Sequence, residues 1–273
     1  MKNISDKMKN ASRRGLGGCL AILALLLASA AHGQVFTQES FDLTVGDNMN
    51  GKTSGSGWTG NWTRSTGSGA NVAEVVSGSL GFGALTTVGN SVEVGNSNRL
   101  YRTVDTSAYD PNLIDSNSQI GGDGQSAFVS FTMSTNELNE FFALRIARNG
   151  VETDRVLGLG DTAVDGNFSA NLNDGAQTTN LATSDTDVHF YVAEFSFDAT
   201  NGDVINVYFD PSLNAQPAVP DASFGGAPGS DFAFDTLSIE AFDGSSASPT
   251  PFRNFTDEIR IGQTYGDVTP VPE

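Results

Sequence analysis

The chain has 273 residues, and its 14 basic and 32 acidic side chains give a formal net charge of −18. Such acidity argues against nucleic acid or an anionic membrane as a partner, because those surfaces are bound through basic patches. The single cysteine, Cys19, lies near the N-terminus, so the remainder of the chain has no disulfide and no thiolate metal site.

The first 33 residues predict a signal peptide. Basic residues between Lys2 and Arg14 precede an apolar run at 20–27 and small residues at 28–33, which is the order found in secretory leaders. The apolar run is too short to cross a hydrocarbon core of about 30 Å as a helix. We expect cleavage after Gly33, with Ala30 as the alternative site and a retained N-terminal anchor as the alternative interpretation.

Two finer signals lie inside this leader. Arg13 and Arg14 resemble a twin-arginine export signal, although an ordinary basic head explains them as well. Cys19 resembles a lipobox cysteine, but it precedes the apolar run instead of following it. Removal of the leader leaves nine basic and 31 acidic residues, a net charge of −22. We therefore predict an exported protein that is extracellular or held at the cell envelope.

The remaining sequence predicts short β-strands in succession. Residues 127–133 and 141–147 alternate apolar and polar side chains, and the second run meets Asn149-Gly150, a favoured hairpin turn, before resuming at Val151. A second hairpin has strands at 190–197 and 204–209 around a turn at 198–203, and Pro211 ends it. A long surface loop follows at 215–229, then strands at 232–242 and 255–261.

This pattern predicts an all-β fold. Many short strands separated by turn residues are typical of a sandwich or a barrel. Neither the segment before the loop at 215–229 nor the segment after it has enough strands to form a hydrophobic core of its own. We therefore predict a single domain at 34–269.

Several kinds of catalytic site find no support in the sequence. His189 is the only histidine after the leader, and it falls in a strand pattern. The turn at 198–203 lacks the ligand spacing of a helical calcium loop, and its residues are those of a hairpin turn. Glu137 and Glu140 are the nearest approach to a glycosidase carboxylate pair, yet they lie in a loop-like stretch. A carboxylate pair on separate strands stays open.

Two tryptophans are the candidate ligand-binding residues. Trp58 and Trp62 lie in a Gly-rich run, where exposed indole rings could stack on sugar rings. Equally, the two rings could pin this segment to the sandwich.

Both ends of the mature chain resemble a known bacterial group. The residues are Glu39-Ser40-Phe41-Asp42, Gly46, Met49, Gly51 and the run 57–62 at the start, then 257–262, Thr264 and 267–269 at the end. They resemble secreted concanavalin A-like (laminin G-like, LamG) domains of the PEP-CTERM type, and the likeness spans nearly all of the mature chain. The resemblance implies a jelly-roll sandwich of two antiparallel sheets, no established catalytic residue, and a surface or matrix protein suspected of contacting glycans.

The final residues resemble the beginning of that group's sorting tail. The tail starts Val-Pro-Glu-Pro, and this chain ends at Val271-Pro272-Glu273. We interpret residues 270–273 as the start of a truncated tail, so that any membrane attachment would depend on a missing C-terminal anchor. The alternative is a naturally complete secreted protein.

The resemblance also implies one metal site. In related sandwich glucanases an Asp of the last strand binds a structural calcium, and Asp257 occupies the matching place. Carbonyl groups near Glu39 or Gly46 and water would complete the oxygen ligands that calcium needs. The alternative is an Asp257 hydrogen-bonded to the first strand. No other cofactor is required.

The resulting functional hypothesis is a non-enzymatic extracellular β-sandwich module that binds polysaccharide. A purely structural matrix protein and a polysaccharide-cleaving hydrolase or lyase are the alternatives.

Overall fold

The computed structural model describes residues 35–66, 73–95, 97–138, 140–242 and 252–271. Its contacts divide the chain into two units, Met1–His32 and Gly33–Glu273. The predicted leader and the last two residues of the predicted tail lie outside the described residues. In the described ranges no helix is long and apolar enough to cross a membrane.

The larger of two antiparallel sheets has eight strands. They are β1 Val35–Glu39, β3 Ala73–Val76, β4 Ser91–Gly95, β6 Ser126–Thr135, β11 His189–Ser196, β12 Val204–Phe209, β13 Ala222–Gly225 and β15 Arg253–Gly262. Their order is β13-β12-β11-β6-β15-β4-β3. One edge of β15 pairs with β4 through its first half and with β1 through its second half.

The smaller sheet has seven strands. They are β2 Trp58–Thr66, β5 Asn98–Val104, β7 Phe141–Ala147, β8 Arg155–Asp161, β9 Asn167–Leu172, β10 Gln177–Thr183 and β14 Thr236–Phe242. Their order is β10-β9-β8-β7-β14-β5-β2. The fold class predicted from the sequence, an all-β sandwich of two antiparallel sheets, is confirmed.

The core lies between the two sheets because apolar residues alternate along most strands. Phe131 of β6 and Tyr191 of β11 stack with ring centroids 4.9 Å apart, and Leu144 and Ile239 come from the opposite sheet. Full burial of such a side chain stabilises the fold by about 1.5–3 kcal/mol. The same alternation sends every second side chain of each sheet to its outer face.

The predicted hairpin at 190–209 is confirmed as β11 and β12, paired from Tyr191 with Phe209 to Ser196 with Val204. Its turn is held by Asp198, whose Oδ1 accepts hydrogen bonds from the backbone N–H groups of Thr200 and Asn201.

The hairpin predicted at Asn149-Gly150 is longer than expected. Both residues have positive φ, 62° and 66°, but β8 begins at Arg155 instead of Val151. Arg148 Nε lies 3.0 Å from Asp154 Oδ1, and Gly150 N donates to Asp235 Oδ1 at 2.9 Å. These side-chain bonds stabilise a loop in place of a two-residue turn.

Two further boundaries were wrong. The predicted loop at 215–229 contains β13, whose buried Ala222 and Phe224 alternate with exposed neighbours over only four residues. The strand predicted from residue 232 begins at Thr236, since Phe232 N donates to the Asp203 carboxylate instead of to a sheet partner.

The outer face of the eight-stranded sheet is covered. A second apolar cluster lies there, with a one-turn α-helix at Tyr265–Val268 and the segment around Leu85 packed on the sheet. Its buried members are Leu85, Phe128, Phe190, Val192, Tyr208, Tyr265 and Val268.

Candidate functional site

The two predicted ligand-binding tryptophans have different surroundings. Trp62 is fully buried, and its Nε1 donates to Glu39 Oε2 at 2.9 Å. Trp58 is half-buried, donates from Nε1 to the Gln38 carbonyl, and lies under the Arg102 guanidinium at 5.4 Å. Trp62 therefore belongs to the core, where no sugar reaches its ring, and only Trp58 stays a candidate for stacking.

Glu39 was predicted to lie near a calcium ion. Both oxygens of its carboxylate accept hydrogen bonds from other residues. Its Oε1 accepts from Phe41 N at 3.0 Å and Ser54 Oγ at 2.5 Å, and its Oε2 accepts from Arg102 Nη1 at 3.0 Å as well as from Trp62. Burial lowers the pKa of Arg102, and the Glu39 charge opposes that shift. This carboxylate anchors β1 to β2 and β5.

Asp257 and Gly46 are bound to other neighbours. Asp257 Oδ2 accepts from Ser79 Oγ and from Leu80 N, whereas its Oδ1 is buried without a hydrogen-bond partner. Gly46 N donates to the Val75 carbonyl at 2.8 Å. In the described part of the chain no group of three or more His, Cys, Asp or Glu residues is suited to hold a metal ion. Asp257 Oδ1 is without a hydrogen-bond partner, and the calcium site of Asp257 with backbone carbonyls near Glu39 or Gly46 stays a prediction.

Asp257 belongs to a fully buried ionic cluster on the covered face of the eight-stranded sheet. Glu258 follows it with φ +52° at a bulge in β15, and Glu258 pairs with Arg260. Burial raises the pKa of Asp257 to about 8 and also raises the pKa of Glu258. Ser79 donates to both carboxylates, so the covering segment closes the cluster from outside.

A different ionic cluster, which the sequence pattern did not indicate, lies on the outer face of the seven-stranded sheet. Three arginines surround the fully buried carboxylate of Glu240 in β14. Arg99 Nε lies 2.6 Å from Oε1, Arg145 Nε donates to Oε2 at 3.1 Å, and Arg155 Nη2 donates to Oε1 at 3.3 Å. We call this the Glu240 cluster.

The sheet register builds the Glu240 cluster from separate strands. Glu240 pairs with Arg99 of β5 on one side and with Ala143 of β7 on the other. Arg145 stands two residues beyond Ala143 on the same face, and its partner in β8 is Gly158. A Cβ at Gly158 would lie 3.3 Å from Arg145 Nη1, so glycine gives the guanidinium room above the sheet.

Aromatic rings form the walls beside the Glu240 cluster. Phe141 and Phe242 are both half-buried and meet edge to face at 5.4 Å. The Arg145 guanidinium lies 5.2 Å from the Phe141 ring, and the Arg99 guanidinium lies 5.6 Å from the Phe242 ring. Together they line an open pocket of about 380 Å³.

A second acid lies beside this pocket and binds two of the arginines that line it. Asp174 accepts from Arg155 Nη1 with both oxygens, at 2.7 and 2.8 Å, and from Arg145 Nη1 at 2.9 Å. Although partial burial acts in the opposite direction, the hydrogen bonds and charges of Arg155 and Arg145 lower the pKa of Asp174. Burial lowers the pKa of Arg145, against the influence of Glu240 and Asp174. The pocket therefore combines guanidinium donors, carboxylate acceptors and ring faces.

A larger cleft of about 630 Å³ lies beside Arg148 and residues 223–232. Its two aromatic residues, Phe224 and Phe232, are buried in the core, so the cleft lacks exposed rings and a converging set of ionic groups. The pocket at the Glu240 cluster is the better candidate site.

His189 is held between two carboxylates at one end of the core. Its Nδ1 lies 2.7 Å from Asp210 Oδ2, and its Nε2 lies 2.8 Å from Asp185 Oδ1. Burial would lower the pKa of His189, but the hydrogen bonds to Asp210 and Asp185 outweigh it and raise the pKa. Since both ring nitrogens are taken, this histidine is a structural cation and not a free base.

Comparison with known proteins does not assign this chain to a family. No protein-family profile and no curated protein matches the chain. Among solved structures, the endo-β-1,4-glucuronan lyase from the fungus Trichoderma reesei has 11% identity over 87% of this chain and 99% of that chain, with a TM-score of 0.46. Domain 4 of AbnA, a GH43 extracellular arabinanase from Geobacillus stearothermophilus in complex with arabinotriose, has 16% identity over 87% and 98%, with a TM-score of 0.46.

A glycosyl hydrolase family protein from Mycobacterium fortuitum has 12% identity over 84% of this chain and 99% of that chain, with a TM-score of 0.45. At such identities and scores, nothing about the site of this protein follows from the likeness.

Proposed function

We propose that this protein is a non-enzymatic extracellular module that binds polysaccharide through the pocket at the Glu240 cluster. The observation that carries the proposal is the placing of two half-exposed phenylalanine rings beside a converging set of guanidinium and carboxylate groups. Export through the leader and the resemblance to secreted LamG-type domains with a sorting tail belong to the same proposal.

The chemistry of this pocket suits a sugar. A sugar ring presents C–H groups, which pack on aromatic faces, and hydroxyl groups, which both donate and accept hydrogen bonds. Phe141 and Phe242 supply the faces, whereas the guanidinium groups of Arg99 and Arg155 supply hydrogen-bond donors. Arginine forks and carboxylates are among the groups that fix orientation in such sites.

The way in which the acids of this pocket are held supports the non-enzymatic part of the proposal. Both oxygens of Glu240 lie against guanidinium groups beneath the pocket floor, so neither is free to take a proton from a substrate. Asp174 has a lowered pKa because of Arg155 and Arg145, which disfavours a role as general acid. A glycosidase needs two carboxyl groups with opposite tasks across the scissile bond.

A polysaccharide array tests the proposal. The full-length protein, exported from a bacterial host, is applied to immobilised plant, algal and bacterial glycans, and reducing-end and unsaturated-sugar release is measured on every glycan that binds. We expect binding to at least one glycan and no release. Measurable release would make the protein an enzyme, and failure to bind any glycan would favour a purely structural matrix protein.

Variants locate the binding site. Phe242→Ala removes one aromatic wall, and we expect it to weaken glycan binding about tenfold or more, in line with the loss of one ring contact. Trp58→Ala tests the half-buried tryptophan, and Val219→Ala changes an apolar side chain that is 76% exposed on a loop. We expect both to bind within twofold of the unaltered protein. A loss with Trp58→Ala alone would move the site to β2.

A further inference from the structure

The Glu240 cluster contains more positive charge than Glu240 requires. One arginine is enough to neutralise one carboxylate, yet three guanidiniums lie within 3.3 Å of this one. The sequence after the predicted leader has only nine basic residues, so a third of them meet here in a strongly acidic protein. Beyond Glu240, Arg99 pairs with Glu152 at 3.6 Å, and Arg145 and Arg155 share Asp174, so three acids balance the three arginines.

Asp174 balances Arg145 and Arg155 from a solvent-accessible position. Its side chain is 55% exposed. Asn173 and Asp174 have positive φ, 47° and 57°, which Asn and Asp tolerate in turns. The Asp174 carboxylate thus reaches the two arginines from an exposed turn.

We infer that the pocket takes an acidic sugar, a hexuronate unit of a polysaccharide, whose carboxylate replaces that of Asp174 on Arg145 and Arg155. This inference rests on the proposed function and specifies its ligand. A planar carboxylate suits a guanidinium group, and Asp174 already places both of its oxygens against Arg155 Nη1. The pyranose ring then lies against Phe141 and Phe242.

The exchange preserves the ionic contacts of the two arginines, because the incoming carboxylate makes the same charge-assisted bonds that Asp174 gives up. The net charge of the protein repels a polyanion at long range, but the Debye length of about 8 Å at physiological salt limits that repulsion to short distances. Direct contacts with Arg145 and Arg155 therefore decide the binding.

Oligosaccharides with and without carboxylates test this inference. Tetramers of linked glucuronate, galacturonate and mannuronate are titrated into the full-length protein in 150 mM NaCl, each beside its carboxyl-reduced counterpart, which keeps the linkage but is neutral. We expect at least one uronate tetramer to bind ten or more times more tightly than its reduced form. A sulfated neutral tetramer serves as a second anion.

Four variants test whether a preference for uronates depends on Asp174 and Arg155. Asp174→Asn removes the competing charge and is expected to raise uronate affinity about three- to tenfold, whereas Arg155→Ala is expected to lower it tenfold or more. Arg155→Lys keeps the charge but loses the fork, and it covers the case in which Arg155→Ala folds poorly. Arg148→Ala removes a cation paired with Asp154 outside the pocket, and it should change affinity by less than twofold.

The outcomes separate the two proposals. Equal binding of uronate and carboxyl-reduced tetramers, or preference for the sulfated tetramer, overturns the inference and leaves glycan binding intact. Weaker uronate binding by Asp174→Asn also overturns it, because Asp174 would then be a ligand contact. Failure of every tetramer and every polysaccharide to bind overturns the proposed function together with the inference.

Discussion

The outer face of the eight-stranded sheet carries an ionic cluster beneath a cover of apolar side chains, whereas the outer face of the seven-stranded sheet carries one at the floor of an open pocket. On the covered face, Glu258 has one arginine, Arg260, and both are buried. On the open face, Glu240 has three arginines, and two of them also bind the exposed Asp174. This comparison suggests that the first cluster holds the fold together, whereas the second exposes one of its acids, Asp174, to exchange with a ligand.

The largest expected difference between the two faces lies in their aromatic residues. Phe190 on the covered face is fully buried and stacks on Phe82 at 5.5 Å, so Phe190→Ala should cost about 3–5 kcal/mol of unfolding free energy. Phe242→Ala on the open face should cost less than about 1 kcal/mol, because the ring is already half-exposed. Urea denaturation measures both. Equal costs would contradict the division into a structural and a binding face.

Removing one arginine from each cluster sharpens the comparison. Arg260→Ala leaves Glu258 buried without its partner and should destabilise the protein by about 3–5 kcal/mol. Arg155→Ala leaves Glu240 with Arg99 and Arg145, so the expected cost is about 1 kcal/mol or less. The double variant Glu258→Gln/Arg260→Ala should recover part of the loss in the same denaturation experiment. A larger cost for Arg155→Ala than for Arg260→Ala would reverse the assignment of the two clusters.

The covered cluster should also give stability a dependence on pH. Burial raises the pKa of Asp257 to about 8 from an unfolded value near 3.8, so the native state binds the extra proton between those values. Its contribution to stability is therefore complete below pH 3.8 and is lost as pH rises towards 8, at no more than about 1.4 kcal/mol per pH unit. Asp257→Asn should flatten the decline of unfolding free energy between pH 4 and 8, with the raised pKa of Glu258 leaving a residual slope. An unchanged slope would show that Asp257 is already ionised in the native protein.

The smallest expected effect comes from His189, which lies outside both clusters. Its pKa is raised by Asp210 and Asp185 despite burial, so its contribution is complete below the unfolded value of 6.5 and is lost as pH rises through the folded value. His189→Gln should remove this loss above pH 6.5 while leaving the slope between pH 4 and 6 untouched. Thermal melts at half-unit pH steps separate this effect from that of Asp257. A change confined to low pH would contradict the ion pairs at His189.

The sequence predicted those parts of the fold that depend on local pattern. The hairpin of β11 and β12 was predicted nearly to the residue. Apolar and polar side chains alternate on both sides of its turn, and within the turn the Asp198 side chain accepts a hydrogen bond from the Thr200 backbone N–H. The start of β8 was misplaced, since tertiary bonds such as Gly150 N to Asp235 stabilise the loop before it, and the four-residue β13 was missed because it lies in a segment predicted to be a loop. Residue types alone do not reveal bonds of that kind.

The candidate site was harder to predict than the fold. Arg145 and Glu240 stand at polar positions of alternating runs, which indicated an outer face, but the sequence did not indicate that β14 pairs with both β5 and β7. That pairing joins residues 99, 145 and 240 from distant parts of the chain. Trp58 and Trp62 drew attention as aromatic residues, and only the packing showed that Trp62 lies inside.

The position of β15 has a consequence for the order in which this protein can fold. β15 is the last strand in the chain, yet it lies between β6 and β4 and also holds β1. Until residues 253–262 have been synthesised, β1, β3 and β4 have no strand through which they can hydrogen-bond to the rest of their sheet. Contacts between residues so far apart in sequence also slow folding. A nascent chain therefore cannot complete the eight-stranded sheet before its final strand emerges from the ribosome.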